Sequence, residues 1–181
     1  WKLRRQTWTV QGIFERGTTT AVKEFAGLRL IVAITGASGV VYGRRLLEVR
    51  REKGVETHLI VSSAAESVAE HELEMTKQDL EKLARHAYSE DDLTAPLMSG
   101  SFQTEGMVII PCSMKTLAGI VHGFADNLIL RAADVTLKEK RRLVVVPRET
   151  PLSIVHLRNM LHAAELGIFV VPAMPAFYHK P

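Results

Sequence analysis

Cysteine is nearly absent from this sequence: the chain has one, Cys112. A single thiol cannot form an internal disulfide, which fits a reducing compartment, and the cytoplasm is the expected location. No apolar run approaches the roughly 20 residues that a membrane-spanning helix needs, so no membrane partner is expected. Histidine and cysteine also do not recur at the usual metal-binding spacings, so the sequence predicts no metal site.

The body of the chain has no excess of charge of either sign. The formal net charge is +3, and all of it comes from residues 1 to 27, which leaves 18 basic and 18 acidic residues in the remainder. A neutral body argues against a nucleic-acid partner. We interpret residues 1 to 27 as an N-terminal extension, either a start-site artefact or disordered, and residues 28 to 181 as one domain of ordinary size.

Short apolar runs alternate with helical segments from residue 28 onward. The runs are rich in β-branched residues, which favours buried strands; they span residues 28–34, 57–61, 107–110, 143–146 and 168–171. Helices are predicted over residues 40–53, 64–73, 77–86, 114–122, 128–140 and 153–166, and Thr76 with Asp79 is a plausible cap for the third. This alternation predicts an α/β, Rossmann-like fold of three layers with a mostly parallel sheet.

Small, hydroxylated and charged residues follow the predicted strands, where an open parallel sheet binds its ligands. The first group, Gly36-Ala37-Ser38-Gly39, lies between a strand and a helix, where backbone N–H groups and the helix dipole can hold a phosphate. A tight turn with a helix cap is the alternative. Short-chain dehydrogenases begin similarly, but this chain has no Tyr-x-x-x-Lys pair, so the loop implies a phosphate rather than a nicotinamide cofactor.

A second polar group follows the third predicted strand. Ser113, Lys115 and Thr116 begin a helix, where they can donate to a flavin or a phosphate; simple capping by Ser113 is the alternative. We interpret Cys112 and Met114 beside them as packing residues rather than as chemical groups.

Two further pairs of charged residues are candidates. Arg131 and Lys138 are seven positions apart on one predicted helix and therefore share a face, although solvated surface charge is an equal alternative. Arg148 and Glu149 lie at a strand end between two prolines, which fix the backbone. Such a pair can hold a phosphate and transfer a proton.

In this order, the motifs resemble those of the UbiX-type flavin prenyltransferases from about residue 29 to residue 181. Several motifs in one order are far more specific than any one of them. The matching stretches are Thr35-Gly36-Ala37-Ser38-Gly39, Tyr42-Gly43, Ser99-Gly100-Ser101-Phe102, Gly106-Met107, Pro111-Cys112-Ser113-Met114-Lys115-Thr116-Leu117, residues 127–135, Leu137-Lys138-Glu139, Pro147-Arg148-Glu149-Thr150-Pro151 and residues 172–178.

The resemblance implies an FMN-binding enzyme that joins a dimethylallyl group from dimethylallyl phosphate to N5 and C6 of reduced FMN, without a metal. The prenylated FMN would serve UbiD-type decarboxylases, with ubiquinone biosynthesis as the associated pathway. The resemblance also implies a homo-oligomer, commonly a dodecamer, with the site at subunit contacts.

By position in the motifs, the resemblance also assigns site residues. FMN binding would fall to Gly36, Ala37, Ser38, Ser62, Ser113, Met114, Lys115, Thr116 and Arg131. Lys138, Arg148 and Glu149 would be catalytic, because cleaving an allylic phosphate requires positive charge for the departing anion and a group that relays a proton. Tyr178, together with Lys138 and Arg148, would bind the dimethylallyl phosphate.

The sequence departs from the family pattern in three respects. Residues 1 to 27 match nothing in the family, and Arg50 stands where a helix usually has an apolar residue. The family's last helix and a phosphate-binding arginine would follow Pro181. A further family glutamate corresponds to Glu72 or to Glu74, and the sequence does not choose between them.

Two alternative functions stay open. FMN-dependent cysteine decarboxylases share the fold, but they typically have Pro-Ala-Ser-Ala-Asn-Thr where residues 111–116 of this chain read Pro-Cys-Ser-Met-Lys-Thr. The other alternative is a non-catalytic subunit that binds FMN and performs no transfer.

Overall fold

The computed structural model describes residues 27 to 174, and within them six parallel strands form one sheet of order β3-β2-β1-β4-β5-β6. The strands are β1 Arg29–Ile34, β2 Glu56–Val61, β3 His86–Ser89, β4 Gly106–Cys112, β5 Arg142–Pro147 and β6 Phe169–Val170. The helices are α1 Val40–Glu52, α2 Ser63–Leu73, α3 Lys77–Glu81, α4 Met114–Val121, α5 Leu128–Lys138 and α6 Ile154–Glu165. Residues 1 to 26 and the predicted substrate residue Tyr178 lie outside the described residues.

Helices cover both faces of the sheet. Alternate residues of a strand point to opposite faces, so β1 supplies Val32 to one core and Ile31 to the other. The first core is closed by α1, α2 and α3, and the second by α4, α5, α6 and the 3₁₀ turn Pro96–Met98. The predicted three-layer α/β fold is confirmed, and the sheet of the described residues is entirely parallel.

Within residues 27 to 174, no helix combines the length and the apolar character needed to cross a membrane.

The predicted third helix is wrong at its carboxyl end. It begins as predicted, since the Thr76 hydroxyl accepts the Asp79 N–H and the Asp79 carboxylate accepts the Thr76 N–H. The helix ends at Glu81, however, and His86 begins β3, where it pairs with His58 of β2. Three of the four β3 residues are exposed, so this edge strand lacks the apolar run that revealed the other five.

A single buried hydroxyl joins the loops that follow β1 and β4. The Thr35 side chain, 1% exposed, donates to the Pro111 carbonyl oxygen at 2.9 Å and accepts the Ser113 N–H at 2.7 Å. The strand order reverses at β1, which has β2 on one side and β4 on the other. The carboxyl end of such a switch point is where open α/β sheets bind ligands, so Thr35 fixes the two loops that border this crevice.

We expect Thr35→Val to lower the free energy of unfolding by about 1 to 3 kcal/mol, because the substitution keeps the side-chain shape but leaves the partly buried Ser113 N–H without its acceptor. Urea denaturation followed by circular dichroism measures the change. Thr35→Ser, which retains the hydroxyl, is the matched control. An equal loss in both variants would assign the effect to side-chain packing instead of the hydrogen bonds.

Candidate active site

The turn after β1 packs closely against α2. A side chain at Gly36 would overlap the Cβ of Ala64, and Gly39 has a φ of 103°, a conformation that favours glycine. These two positions bring the backbone of the turn against α2 and start α1 directly after it. Ser38, between them, is exposed at the carboxyl edge of the sheet.

The Glu72 carboxylate binds the amino end of α1. It accepts the Gly39 N–H at 2.9 Å and the Val40 N–H at 3.1 Å. Partial burial raises the pKa of Glu72, but hydrogen bonds from Ser38, Gly39 and Val40 and the charge of Arg148 lower that pKa below its ordinary value. Glu72 is therefore anionic at neutral pH and carries a negative charge into this edge of the sheet.

The structure thus separates the two candidate glutamates. Glu72 lies on the α2 face that carries the buried residues Ala65 and Ala69, seven and three positions earlier. Glu74 is the C-cap of α2 and has a φ of 52°. This spacing was present in the sequence and could have selected Glu72 in advance.

A pocket of about 540 Å³ opens beside this contact. It brings together two of the predicted residues, Ser38 and Arg148, with Glu72. Glu149 follows Arg148 and is exposed like it, and the Glu149 carboxylate accepts the Thr150 N–H at 3.0 Å. The lining residues are Ser38, Gly39, Val41, Tyr42, Glu72, Leu73, Arg148 and Ala173.

The amino end of α4 carries the second predicted group. The Ser113 hydroxyl accepts the Thr116 N–H at 3.2 Å and lies 3.0 Å from the Thr116 hydroxyl, so the predicted capping by Ser113 is confirmed. Lys115 is exposed and Met114 is buried. Burial raises the pKa of Cys112 to about 12, so its thiol stays protonated and Cys112 is confirmed as a buried packing residue.

Glu90 is a residue of this edge that the sequence did not reveal. Its carboxylate accepts both the N–H and the hydroxyl of Ser63 at 2.6 Å, at the start of α2, where Ser62 is the N-cap. The other carboxylate oxygen lies 3.5 Å from the side-chain nitrogen of Asn127, the N-cap of α5. Glu90 directly follows β3, so missing that strand also hid a residue at its carboxyl end.

The two predicted cations of α5 lie far apart along the helix. Arg131 is near its amino end and pairs with Asp134 at 2.7 Å, whereas Lys138 is its last residue and lies 3.2 Å from Glu139. Seven residues of helix span about 10 Å, and α5 returns the chain from the carboxyl edge of β4 to the amino edge of β5. Lys138 is consequently not among the residues that line the pocket of Arg148 in one protomer.

Comparison with known proteins places this geometry in a family. Residues 19–180 match the family model described as Flavoprotein. The chain is 54% identical over 155 residues to a probable UbiX-like flavin prenyltransferase of Streptomyces sp. (strain D7), with 85% of this chain and 78% of the relative covered. It is 53% identical over 154 residues to the flavin prenyltransferase UbiX of Escherichia coli (strain K12), covering 84% of this chain and 82% of the relative.

Solved structures give the same result. A dodecameric FMN-dependent UbiX-like decarboxylase from Escherichia coli O157:H7 has a TM-score of 0.84 and 52% identity, with 85% of both chains covered. AnUbiX (PadA1), in complex with FMN and dimethylallyl pyrophosphate, has a TM-score of 0.84 and 49% identity, covering 85% of this chain and 82% of that one.

The cysteine decarboxylases are more distant. The FMN-dependent cysteine decarboxylase SpaF has a TM-score of 0.68 at 21% identity, with 82% of this chain and 85% of that one covered, which indicates a shared fold alone. About half of the residues, by contrast, are identical to those of the UbiX proteins over most of both chains. The chain therefore belongs to the flavoprotein family and, within it, to the UbiX-type flavin prenyltransferases.

Proposed function

We propose that this chain is a flavin prenyltransferase, which joins a dimethylallyl group to N5 and C6 of reduced FMN and releases the phosphate of the donor. The observation that carries the proposal is the pocket in which Ser38, Glu72 and Arg148 meet at the carboxyl edge of the sheet. The UbiX relatives support it by name, and one solved relative contains both FMN and dimethylallyl pyrophosphate.

The carboxyl edge fits a phosphate-bearing flavin. The amino ends of α1 and α2 already hold the carboxylates of Glu72 and Glu90. The amino end of α4, capped by Ser113, has no acidic residue in its first turn, which leaves it for a phosphate. When bound, FMN supplies the reduced ring that accepts the prenyl group. We assign its binding to hydroxyl, backbone and cationic groups of this edge, namely Gly36, Ala37, Ser38, Ser62, Ser113, Met114, Lys115, Thr116 and Arg131.

The residues of the β5–α6 loop suit the chemistry of the donor. Arg148 supplies positive charge for the departing phosphate, and the transfer of the proton is assigned to the exposed carboxylate of Glu149 beside it. We propose that Lys138 acts on the pocket of a neighbouring copy, since it lies at the other end of α5 from the site of its own chain. Tyr178, outside the described residues, is proposed to bind the donor.

Glu149→Gln tests the proton transfer. Glutamine keeps the size and hydrogen bonding of the side chain but cannot exchange an acidic proton, and general acid–base groups contribute about 100- to 10,000-fold to rate. We expect FMN to stay bound and single-turnover formation of the prenylated adduct, measured by mass spectrometry, to slow by that factor. Glu52→Gln, at the exposed end of α1, should react at the wild-type rate.

Two results of this assay would contradict the proposal. Unchanged FMN in the wild-type protein, after incubation with reduced FMN and dimethylallyl phosphate, would favour a cysteine decarboxylase or an FMN-binding subunit. A wild-type rate in Glu149→Gln would leave Glu149 as a structural neighbour of Arg148.

Ser38→Glu tests the flavin site. A second carboxylate beside Glu72 would repel both it and a bound phosphate, and adjacent charges near a protein surface repel strongly enough to weaken binding at least about tenfold. The FMN content of the purified variant, measured by absorbance, should fall accordingly. Ser67→Glu adds the same charge to an exposed position of α2 and should retain wild-type flavin; equal retention by Ser38→Glu would remove Ser38 from the site.

A homo-oligomer is the proposed assembly. Four large apolar side chains of α6 are between 47% and 61% exposed: Ile154, Val155, Leu157 and Leu161. A row of this kind is typical of a surface that another chain covers, and the related structure from Escherichia coli O157:H7 is dodecameric. We extend the dodecamer, the UbiD-type recipient of the product and the cytoplasmic location to this chain as parts of the same proposal.

Leu161→Glu should shift the protein to a smaller species in size-exclusion chromatography with light scattering, because it places a charge on the apolar face of the proposed contact. Leu93→Glu is the control. Leu93 is 53% exposed in the loop after β3, away from α6, and its substitution should leave the assembly intact. A wild-type assembly in Leu161→Glu would exclude this face of α6 from the interface.

A further inference from the structure

A cluster of ligand-bearing side chains lies at the amino ends of β2 and β3, on the opposite edge of the sheet from the proposed active site. Glu56 begins β2, His58 follows two positions later, and His86 begins β3 in register with His58. One carboxylate oxygen and one nitrogen from each imidazole lie within 4.8 Å of one another. We propose that these three residues bind a divalent cation of the zinc type.

The distances fit tetrahedral coordination. The Glu56 Oε1 atom lies 3.1 Å from His58 Nε2 and 3.5 Å from His86 Nε2. Bonds of 2.0 to 2.1 Å at tetrahedral angles place neighbouring ligand atoms about 3.3 Å apart. Two imidazoles and one carboxylate form a common zinc ligand set, which leaves the fourth position to water.

The surroundings of His58 orient it for this role. Its Nδ1 atom lies 3.0 Å from the Tyr88 hydroxyl, so a cation on Nε2 would leave the Nδ1–H to donate to the tyrosine oxygen. An outer partner of this type fixes the ring of a metal-binding histidine. The edge of Phe102 closes one side of the ring, with centroids 5.0 Å apart, and His58 is only 2% exposed.

The other two ligands, Glu56 and His86, lie on the more exposed side of the site. The Arg29 Nε atom holds the second oxygen of Glu56 at 3.3 Å, which leaves Oε1 toward the histidines. The rings of His58 and His86 stack with 4.7 Å between centroids and 18° between planes. Because nitrogen lone pairs lie in the ring plane, the ring of His86 must turn to complete the site, and its 45% exposed side chain leaves room for that rotation.

A purely structural role accounts for only part of the cluster. Glu56, His58 and Tyr88 already form a hydrogen-bonded chain. His86 is not a member of that chain, although its ring stacks on His58 and its Nε2 atom approaches the same carboxylate oxygen from the next strand. A cation shared by all three ligands uses every member of the cluster.

Calorimetric titration of the untagged, FMN-bound protein with Zn²⁺, after chelator treatment and dialysis, tests the site. We expect one equivalent to bind per chain. His86→Ala and Glu56→Gln should weaken binding by more than the 10- to 100-fold that loss of an outer partner costs, and Tyr88→Phe should fall within that range. His71→Ala removes an exposed histidine of α2 and should bind Zn²⁺ as the wild type does.

Circular dichroism of each variant verifies that it is folded, which is expected because His86 is exposed and Glu56 is half-buried. An unchanged affinity in His86→Ala would overturn the proposal, as would an equal loss in His71→Ala. Absence of stoichiometric Zn²⁺ binding by the wild-type protein would also overturn it and leave Glu56, His58 and Tyr88 as a structural hydrogen-bonded chain.

Discussion

The hydroxyl of Thr35 is the interaction on which the geometry of the candidate site depends. The chain leaves β1 toward α1 on one face of the sheet and leaves β4 toward α4 on the other, so the two loops diverge and open a crevice. Backbone groups at such a divergence lose their ladder partners and need another partner when buried. The Thr35 hydroxyl accepts the Ser113 N–H and donates to the Pro111 carbonyl oxygen, which also accepts the Thr35 N–H at 3.2 Å. Thr35 thereby holds the two borders of the crevice together.

Carboxylates set the charge of this edge. Glu72 holds the amino end of α1, and Glu90 holds that of α2, so two positions where a helix dipole favours anions already contain one. A phosphate entering the same edge therefore needs further positive charge. Arg148 lies at the pocket with Glu72, which on the proposed function explains why the donor phosphate is assigned to Arg148 rather than to the helix ends alone.

Most of the fold could be predicted from the sequence, because five strands are apolar runs whose burial needs no knowledge of their neighbours. The sixth strand, β3, could not be predicted. It is exposed at the edge of the sheet, so it forms because it pairs with β2 and not because its own residues are apolar. The missed strand hid Glu90 and the pairing of His58 with His86.

The sequence placed Ser38 and Arg148 correctly at one edge, because the carboxyl ends of parallel strands coincide. Which side chains meet at that edge depends on loop conformations that no periodicity encodes.

Lys138 shows that helical spacing predicts which face of a helix a residue occupies but not which edge of the sheet it reaches. Residues seven positions apart share a face, but they are also two turns apart, and α5 carries that separation from one edge of the sheet to the other. At the amino edge, Arg141 donates to the carbonyl oxygens of Gly100 and Phe102 at 2.6 and 2.7 Å, and a side chain at Gly100 would overlap the Glu139 carboxylate. The segment beside Lys138 is thus held in place by its own chain. On the proposed function, a cation displayed on this edge would act on the pocket of a second copy, and assembly would then be a condition of catalysis rather than an accompaniment to it.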